Sequence, residues 1–374
     1  MLGFLFLFLC LGMPVMADDV EDYFEYEDDT KTVIIGLKES GWSKTSLTIP
    51  ASVTLVTEGA FFGNNRLSDL YIDGGNPKFE DNVFDDVRET LYMIDCGSGM
   101  SPNNIYGMLR RLGADNQLGQ LLLSGYQGAP DAEIVWDDEL MKAILTDAVD
   151  VVLPATLVGD QVFGEANVLG RFTINSSSSI STICCKKSFS DFGYGDGSNM
   201  LFYVPTELRS ETKQIFVRRV NTINAGEGVI IHNAQNTSTY ADLPRMDDEP
   251  EAYEANMLVG VTEPTYIEKT DGDKTNLILS GGKFQPLSNA GTIPAFKAYL
   301  QLNTVEYNAL GASAAAGLTW CEMPDDTTDG IGYSLVEEDT TASGEWMTLG
   351  GQRLGGQPAK PGLYLRGNKK VIVK

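Results

Sequence analysis

A chain of 374 residues, 43% of them apolar, is long enough for two or three domains and apolar enough to bury their cores, which excludes a disordered protein. Its 52 acidic against 27 basic residues leave a net charge of −25, and that charge repels phosphate backbones and anionic membranes. Nucleic acid is therefore excluded as a partner.

Residues 2–13, LGFLFLFLCLGM, form an apolar run of about a dozen residues, short of the ~20 a membrane-crossing helix needs. The run reads as the core of a secretory signal, although no basic stretch precedes it. Val15-Met16-Ala17 suits a signal peptidase, so residues 1–17 are expected to be removed after Ala17, leaving no integral membrane span. Cys10 would suit a lipid anchor, but Leu9 stands where a small residue is required. Residues 18–31 form an acidic leader: DDVEDYFEYEDD carries eight carboxylates whose mutual repulsion predicts a solvated segment. Calcium binding is the sharper alternative there, without any ordered carboxylate spacing to support it.

Residues 32–95 carry a repeat pattern. Val33, Ile35 and Leu37 alternate as in a strand, and Leu47-Thr48-Ile49 and Leu70-Tyr71-Ile72 are two short strands 23 residues apart. A period of 20–30 residues is that of stacked solenoid coils. Pro50 stops the first strand, the Ala60-Phe61 pair is placed to fill the space between coils, and Val83-Phe84 and Thr90 to Ile94 continue the pattern. Ile49-Pro50-Ala51-Ser52-Val53, Val56, Ala60-Phe61, Asn64 and Leu67 resemble the BspA-like leucine-rich repeats of secreted and surface proteins from Bacteroidetes-type bacteria. Asn64 stands where that family often has cysteine. The resemblance covers two to three repeats, which implies a stub of solenoid that something else must cap.

Residues 96–150 read as a helical segment. Ser101-Pro102 starts a helix with Ile105, Met108, Leu109 and Leu112 on one face and Gly113 at its end. Asp115 to Leu123 with Gly125 predicts a second helix, and Asp137 to Ala148 a third with Leu140, Met141, Ile144 and Leu145 buried. Gly97-Ser98-Gly99 lacks the residues of a phosphate cradle and reads as a plain turn. Residues 151–166 echo the Ile49 region weakly, either as a degenerate repeat or as a strand and turn leading into the next domain, the second being the favoured reading.

From residue 151 to 323 short apolar runs separated by Gly, Pro, Asn and Asp predict an antiparallel β-sandwich-like domain. Ile180 to Cys184, Met200 to Val204, Gln214 to Val220, Gly228 to His232, Leu277 to Leu279 and Ala298 to Leu302 are the expected strands, and Asp271-Gly272 is a hairpin turn. ISTICCKKSFSDF, VNTINAGEGVIIHN, NMLVGVTEPTYIE and AGTIPAFKAYLQL are similar to an all-β domain that accompanies BspA-like repeats. A linker at 324–343 leads to residues 344–374, where Gly351 to Leu354, Pro361 to Tyr364 and Gly367 to Lys370 resemble the C-terminal sorting module of Bacteroidetes exported proteins. That resemblance singles out Gly362, Tyr364, Lys369 and Lys370, and implies contact with envelope or secretion machinery.

The fold class expected is thus mainly β with a helical insert: a short repeat stub, an antiparallel sandwich and a small C-terminal β module. Catalytic groupings are hard to assemble. His232 is the single histidine, on a strand where a polar outward residue fits, so a histidine-ligated metal centre and a Ser-His-Asp triad are both disfavoured. No carboxylate pair stands out for glycosidase chemistry, Asp271 to Asn276 departs from a calcium loop, and no cofactor or metal is expected. Cys96, Cys184, Cys185 and Cys321 read as buried thiols. Tyr71, pointing away from its apolar neighbours, is the leading ligand-facing residue, with Asp69, Asp73 and Trp42 beside it as candidates. The expectation is a secreted or outer-surface adhesion protein, not an enzyme, that binds a protein or glycan. A structural module of the envelope and a secreted carbohydrate-active or proteolytic enzyme are the alternatives.

Overall fold

The computed structural model describes residues 23–123, 125–126, 134–174, 179–190, 200–233, 240–311 and 317–323, and the backbone of four C-terminal strands between Trp346 and Val373. The expected signal peptide and linker lie outside the described residues. The described residues are mainly β with a helical insert, as the residue patterns predict, and a further short helix, Thr304–Ala309, forms outside that insert. The chain divides into two units, Met1–Arg171 and Phe172–Lys374.

In the first unit the chain alternates between two sheets. Val33–Leu37, Leu55–Val56 and Lys78–Phe79 lie parallel in one sheet. Ser46–Ile49, Asp69–Ile72, Met93–Asp95, Gln120–Leu122, Asp150–Pro154 and Asn167–Thr173 lie parallel in the other, in sequence order. Ser46 is opposite Asp69, and Asp69 opposite Met93. Each turn of chain is therefore one coil, stacked on the last.

The longer sheet does not stop at residue 95, where the repeat pattern fades from the sequence. Gln120–Leu122 is a strand, although Asp115 to Leu123 has a helix-like pattern. The reason is local: Asn116 accepts from the Leu118 N–H at 2.9 Å and donates to the Gly113 carbonyl at 2.7 Å, a turn that directs Leu121 and Leu123 inward. The echo at 151–166 is likewise a coil, because Asp150–Pro154 joins the long sheet and Val162–Phe163 pairs in parallel with Val135–Trp136. Two of the expected helices form. Pro102–Leu112 is capped by Ser101 and buries Ile105, Met108, Leu109 and Leu112, the face its spacing predicts. Glu139–Ile144 is shorter than expected and starts on Asp138, whose carboxylate accepts from the Leu140 and Met141 N–H groups.

Two further departures concern the start of this unit. Phe24–Tyr26, inside the stretch expected to be solvated, is a strand antiparallel to Val33–Leu37, and Phe24 is only 2% exposed. One buried phenyl ring outweighs the repulsion because the acidic neighbours Glu25, Glu27, Asp28 and Asp29 all stay at or near the surface. The pairing also skips a position between Glu25 and Tyr26, and this bulge shifts the alternation so that Ile34 faces inward and Ile35 outward.

Coils are tied together by side chains and by glycine. Buried Asn64 donates to the Gly41 and Lys44 carbonyls of the preceding coil at 2.9 and 3.0 Å, and accepts from the Arg66 and Leu67 N–H groups at 2.8 and 2.9 Å. All four of its hydrogen-bonding positions are used. Phe61 stacks on Phe84, and Phe84 on Phe79, at 5.8 and 5.5 Å, so the Ala60-Phe61 pair does fill the space between coils. The Gly97-Ser98-Gly99 turn has a packing role: a Cβ on Gly97, which also has positive φ, would lie 2.1 Å from the Ile72 carbonyl oxygen, and one on Gly99 1.8 Å from that of Gly74.

The second unit contains two facing sheets. One runs in the order Ile180–Cys184, Gly228–Asn233, Met200–Arg209, Gln214–Val220, Thr319–Glu322, antiparallel except for the last pair. The other holds Leu258–Val261, Lys297–Asn303 and Lys274–Ser280, with Lys283–Pro286 along its edge. All six expected strands form. Tyr203, Ile215, Val217 and Ile230 of the first sheet share one core with Leu258, Leu277, Ala298, Leu300 and Phe284 of the second. The sheets approach closely where glycines face each other, since a Cβ on Gly260 would lie 2.6 Å from Cys184 Sγ and 2.9 Å from the Gly228 nitrogen. Asp271-Gly272 turns a hairpin, but Tyr266-Ile267 leaves it to pair with Gly291–Ile293. In the tail, Trp346–Thr348, Arg353–Leu354, Gly362–Arg366 and Lys369–Val373 make a separate antiparallel sheet.

Candidate functional site

The long parallel sheet presents two outward rows, because alternate residues of each strand leave the coil interior. The register aligns Ser46, Asp69, Met93, Gln120, Asp150 and Asn167 in one row and Thr48, Tyr71, Asp95, Leu122, Val152 and Leu169 in the other. Their inward neighbours Leu47, Leu70, Ile94, Leu121 and Val151 are all buried. The second row changes character along its length. Thr48 is exposed and Tyr71 and Asp95 are half-buried, whereas Leu122, Val152 and Leu169 are buried apolar side chains. The second row is therefore open only over the first three strands, while the first row stays at least partly exposed along its whole length.

Tyr71 sits at the centre of that open part, directly opposite Thr48 on one side and Asp95 on the other. Its phenol is pushed above its ordinary pKa, first by partial burial and then by the negative charges of Asp69 and Asp95. The hydroxyl makes no hydrogen bond to another described residue. Asp95 accepts from the Gly97 N–H at 2.9 Å, which fixes its carboxylate at the end of the strand. Asp69 is half-buried next to Tyr71 on the same strand, and Asp73 is exposed just beyond the strand's end. Asp95 was not singled out by sequence, since its place beside Tyr71 depends on a cross-strand register 24 residues away.

Trp42 belongs elsewhere. It follows the short helical turn Glu39–Gly41, donates its indole N–H to the Leu37 carbonyl at 3.2 Å, and lays its ring against Gly63. It flanks the seam made by Asn64 and is not a member of the Tyr71 rows. The aromatic neighbour Phe62 is 70% exposed.

A second group forms around His232. The imidazole is half-buried, not the outward surface position its strand pattern predicts, because Trp320 meets it edge-on at 5.2 Å and Tyr203 lies at 6.4 Å. Tyr203 donates to Glu322 at 3.2 Å, and burial followed by that carboxylate pushes its phenol up to about 12. Nδ1 of His232 is buried without a hydrogen-bond partner among the described residues, and burial holds the imidazole below its ordinary pKa against the opposing pull of Glu322. The Tyr203 proton is therefore held by the carboxylate and the imidazole by aromatic rings; no serine or second carboxylate completes a relay among the described contacts.

Of the thiols, Cys96, Cys184 and Cys185 are buried and unbridged, while Cys321, expected to be buried with them, is only half-buried; burial pushes Cys184 up to about 11 and Cys96 and Cys185 higher still. The three buried thiols are inert packing groups at neutral pH. Among the described residues no group of three or more His, Cys, Asp or Glu side chains is placed to hold a metal ion. The tail residues lie on their own sheet: Gly362 pairs with Val373, Tyr364 with Val371, Lys369 with Arg366 and Lys370 with Leu365. Compared with protein-family models, curated proteins and solved structures, the chain matches none of them.

Proposed function

We propose that this is a non-enzymatic binding or adhesion protein, secreted or displayed at the outer surface of a Bacteroidetes-type bacterium, and that it holds a protein or glycan on the open part of its long parallel sheet. The observation that carries this reading is the row Thr48, Tyr71 and Asp95. An aromatic ring whose hydroxyl bonds no other described residue stands on a sheet whose register is fixed by the buried Asn64 and the interleaved Phe61 and Phe84. A ligand contact on such a platform needs little reordering when the ligand arrives, which is what makes rigid aromatic residues effective anchors. The signal-like residues 2–17 and the sorting-like tail support export and retention.

Saturable binding of the purified chain to a panel of matrix proteins and glycans tests it. Tyr71→Ala and Thr48→Arg should each reduce capture at least tenfold without lowering the unfolding temperature by more than about 2 °C. Undiminished capture by both variants would sink the reading. Removal of residues 345–374 should leave the fold of the first unit intact and release the protein from the cell surface. An assembly role in the envelope competes with this reading on one observation: Ser46–Ile49 ends its sheet with one edge unpaired among the described strands, and such an edge can accept a partner strand.

A further inference from the structure

Charge is distributed unevenly over the first unit. Away from the long sheet three of its carboxylates lie beside cations: Asp85 lies 2.6 Å from Arg88, Asp81 3.3 Å from Arg111 and Asp137 3.0 Å from Lys142. On the open face Asp69, Asp73 and Asp95 have no Lys or Arg within ion-pair distance among the described residues. The rows of the first three strands contain no basic residue, only Ser46, Thr48, Asp69, Tyr71, Met93 and Asp95. Tyr71 stands between two of these carboxylates on the outward side of its strand, with Thr48 opposite it on the neighbouring strand.

An anionic frame around a half-buried, outward-facing aromatic ring is complementary to one kind of group, a cation with a flat or soft charge. The ring's negative face attracts it and the carboxylates accept its N–H donors. The frame's spacing also suits a chain: alternate outward residues recur every ~6.6–6.8 Å along a strand and neighbouring strands lie ~4.8 Å apart, the repeat of an extended peptide. Neutral sugars offer no charge to these carboxylates, and acidic sugars are repelled by them.

Building on the binding role proposed above, we infer that the occupant of this face is a basic, extended segment of a protein partner, with a guanidinium or ammonium group lying over the Tyr71 ring between Asp69 and Asp95. The probe is a seven-residue peptide with arginine at alternate positions, compared with its glutamine and glutamate counterparts by fluorescence anisotropy against the full chain. The arginine peptide should bind at least tenfold tighter than the glutamine peptide, the glutamate peptide not at all, and raising salt from 0.05 to 0.5 M should weaken binding at least tenfold. Tyr71→Ala and the double variant Asp69→Asn/Asp95→Asn should each weaken it about tenfold; Asn at 95 keeps an oxygen for the Gly97 N–H, so a fold change is not the cause. Arginine-peptide binding that survives both variants is the bulk charge of the chain and overturns the inference, as does equal binding of the three peptides. If a neutral peptide or a glycan binds instead and only Tyr71→Ala abolishes it, the charge inference falls while the face remains the binding site. If no ligand of either kind responds to either variant, both fall.

Discussion

The two units solve the same problem, burying β-structure, by opposite means. In the first, each strand pairs with the strand one coil away, so Leu47 meets Leu70 and Leu70 meets Ile94, and the interior is a column of like positions. In the second, partners are far apart in sequence: Ile180 pairs with His232, and Thr182 donates its hydroxyl to Ala298 at 2.9 Å, 116 residues away. The consequence is a difference in what each surface can present. Coils repeat an outward position at every turn and so build rows such as Thr48, Tyr71 and Asp95. The sandwich brings unlike residues together once, as at His232, Trp320 and Tyr203, and holds them in a partly buried cluster.

If that contrast is right, damage to the coil seam should spread along the first unit and leave the second intact. Gly97→Val should cost the most, about 4 kcal/mol or more, because it combines a backbone collision with an unfavourable positive φ. Hydrogen exchange should accelerate across residues 47–123 and stay unchanged across 200–233. Phe61→Ala, which empties a fully buried ring from the interleaved stack, should cost about 3–4 kcal/mol, against less than about 0.5 kcal/mol for the adjacent exposed Phe62→Ser. Asn64→Ala should cost about 2–3 kcal/mol, since it leaves the Gly41 and Lys44 carbonyls and two N–H groups without their partner. Chemical denaturation of each variant gives these differences.

The smallest effect belongs to the sandwich. The folded-state pKa of His232 lies below its unfolded value, so the unfolded chain takes up its proton first as pH falls. The stability contribution is therefore fully present above about pH 6.5 and lost progressively as pH drops toward and through the folded value. A pH series of unfolding curves should show this loss, and His232→Phe should remove it from the second unit while leaving the first unit's pH dependence as it was.

What the sequence disclosed follows the same divide. The 23-residue spacing of Leu47 and Leu70 was visible because both strands keep the same short apolar pattern, and the Pro102–Leu112 helix was visible because Ser101, Pro102 and Gly113 mark both its ends. The later coils were not, since the spacing stretches and then shrinks and the contiguous leucines at 121–123 fit a helix face as well as a strand. Tyr71 was legible from alternation alone. Its partner Asp95 was not, because a carboxylate at the end of one strand gains meaning only when register sets it beside a ring on the next. His232 was misplaced for the related reason that Trp320 reaches it through a sheet order no local pattern encodes.

The most direct measurement is site-specific photo-crosslinking, with p-benzoylphenylalanine placed in turn at Thr48, Tyr71, Tyr266 and Val305 and the chain offered the matrix protein, glycan or arginine peptide it binds best. Tyr266 and Val305 are 64% and 77% exposed, so accessibility alone would favour them. The account predicts a discrete ligand adduct from positions 48 and 71 and none from 266 or 305. Adducts from 266 or 305, with none from 48 and 71, would contradict it.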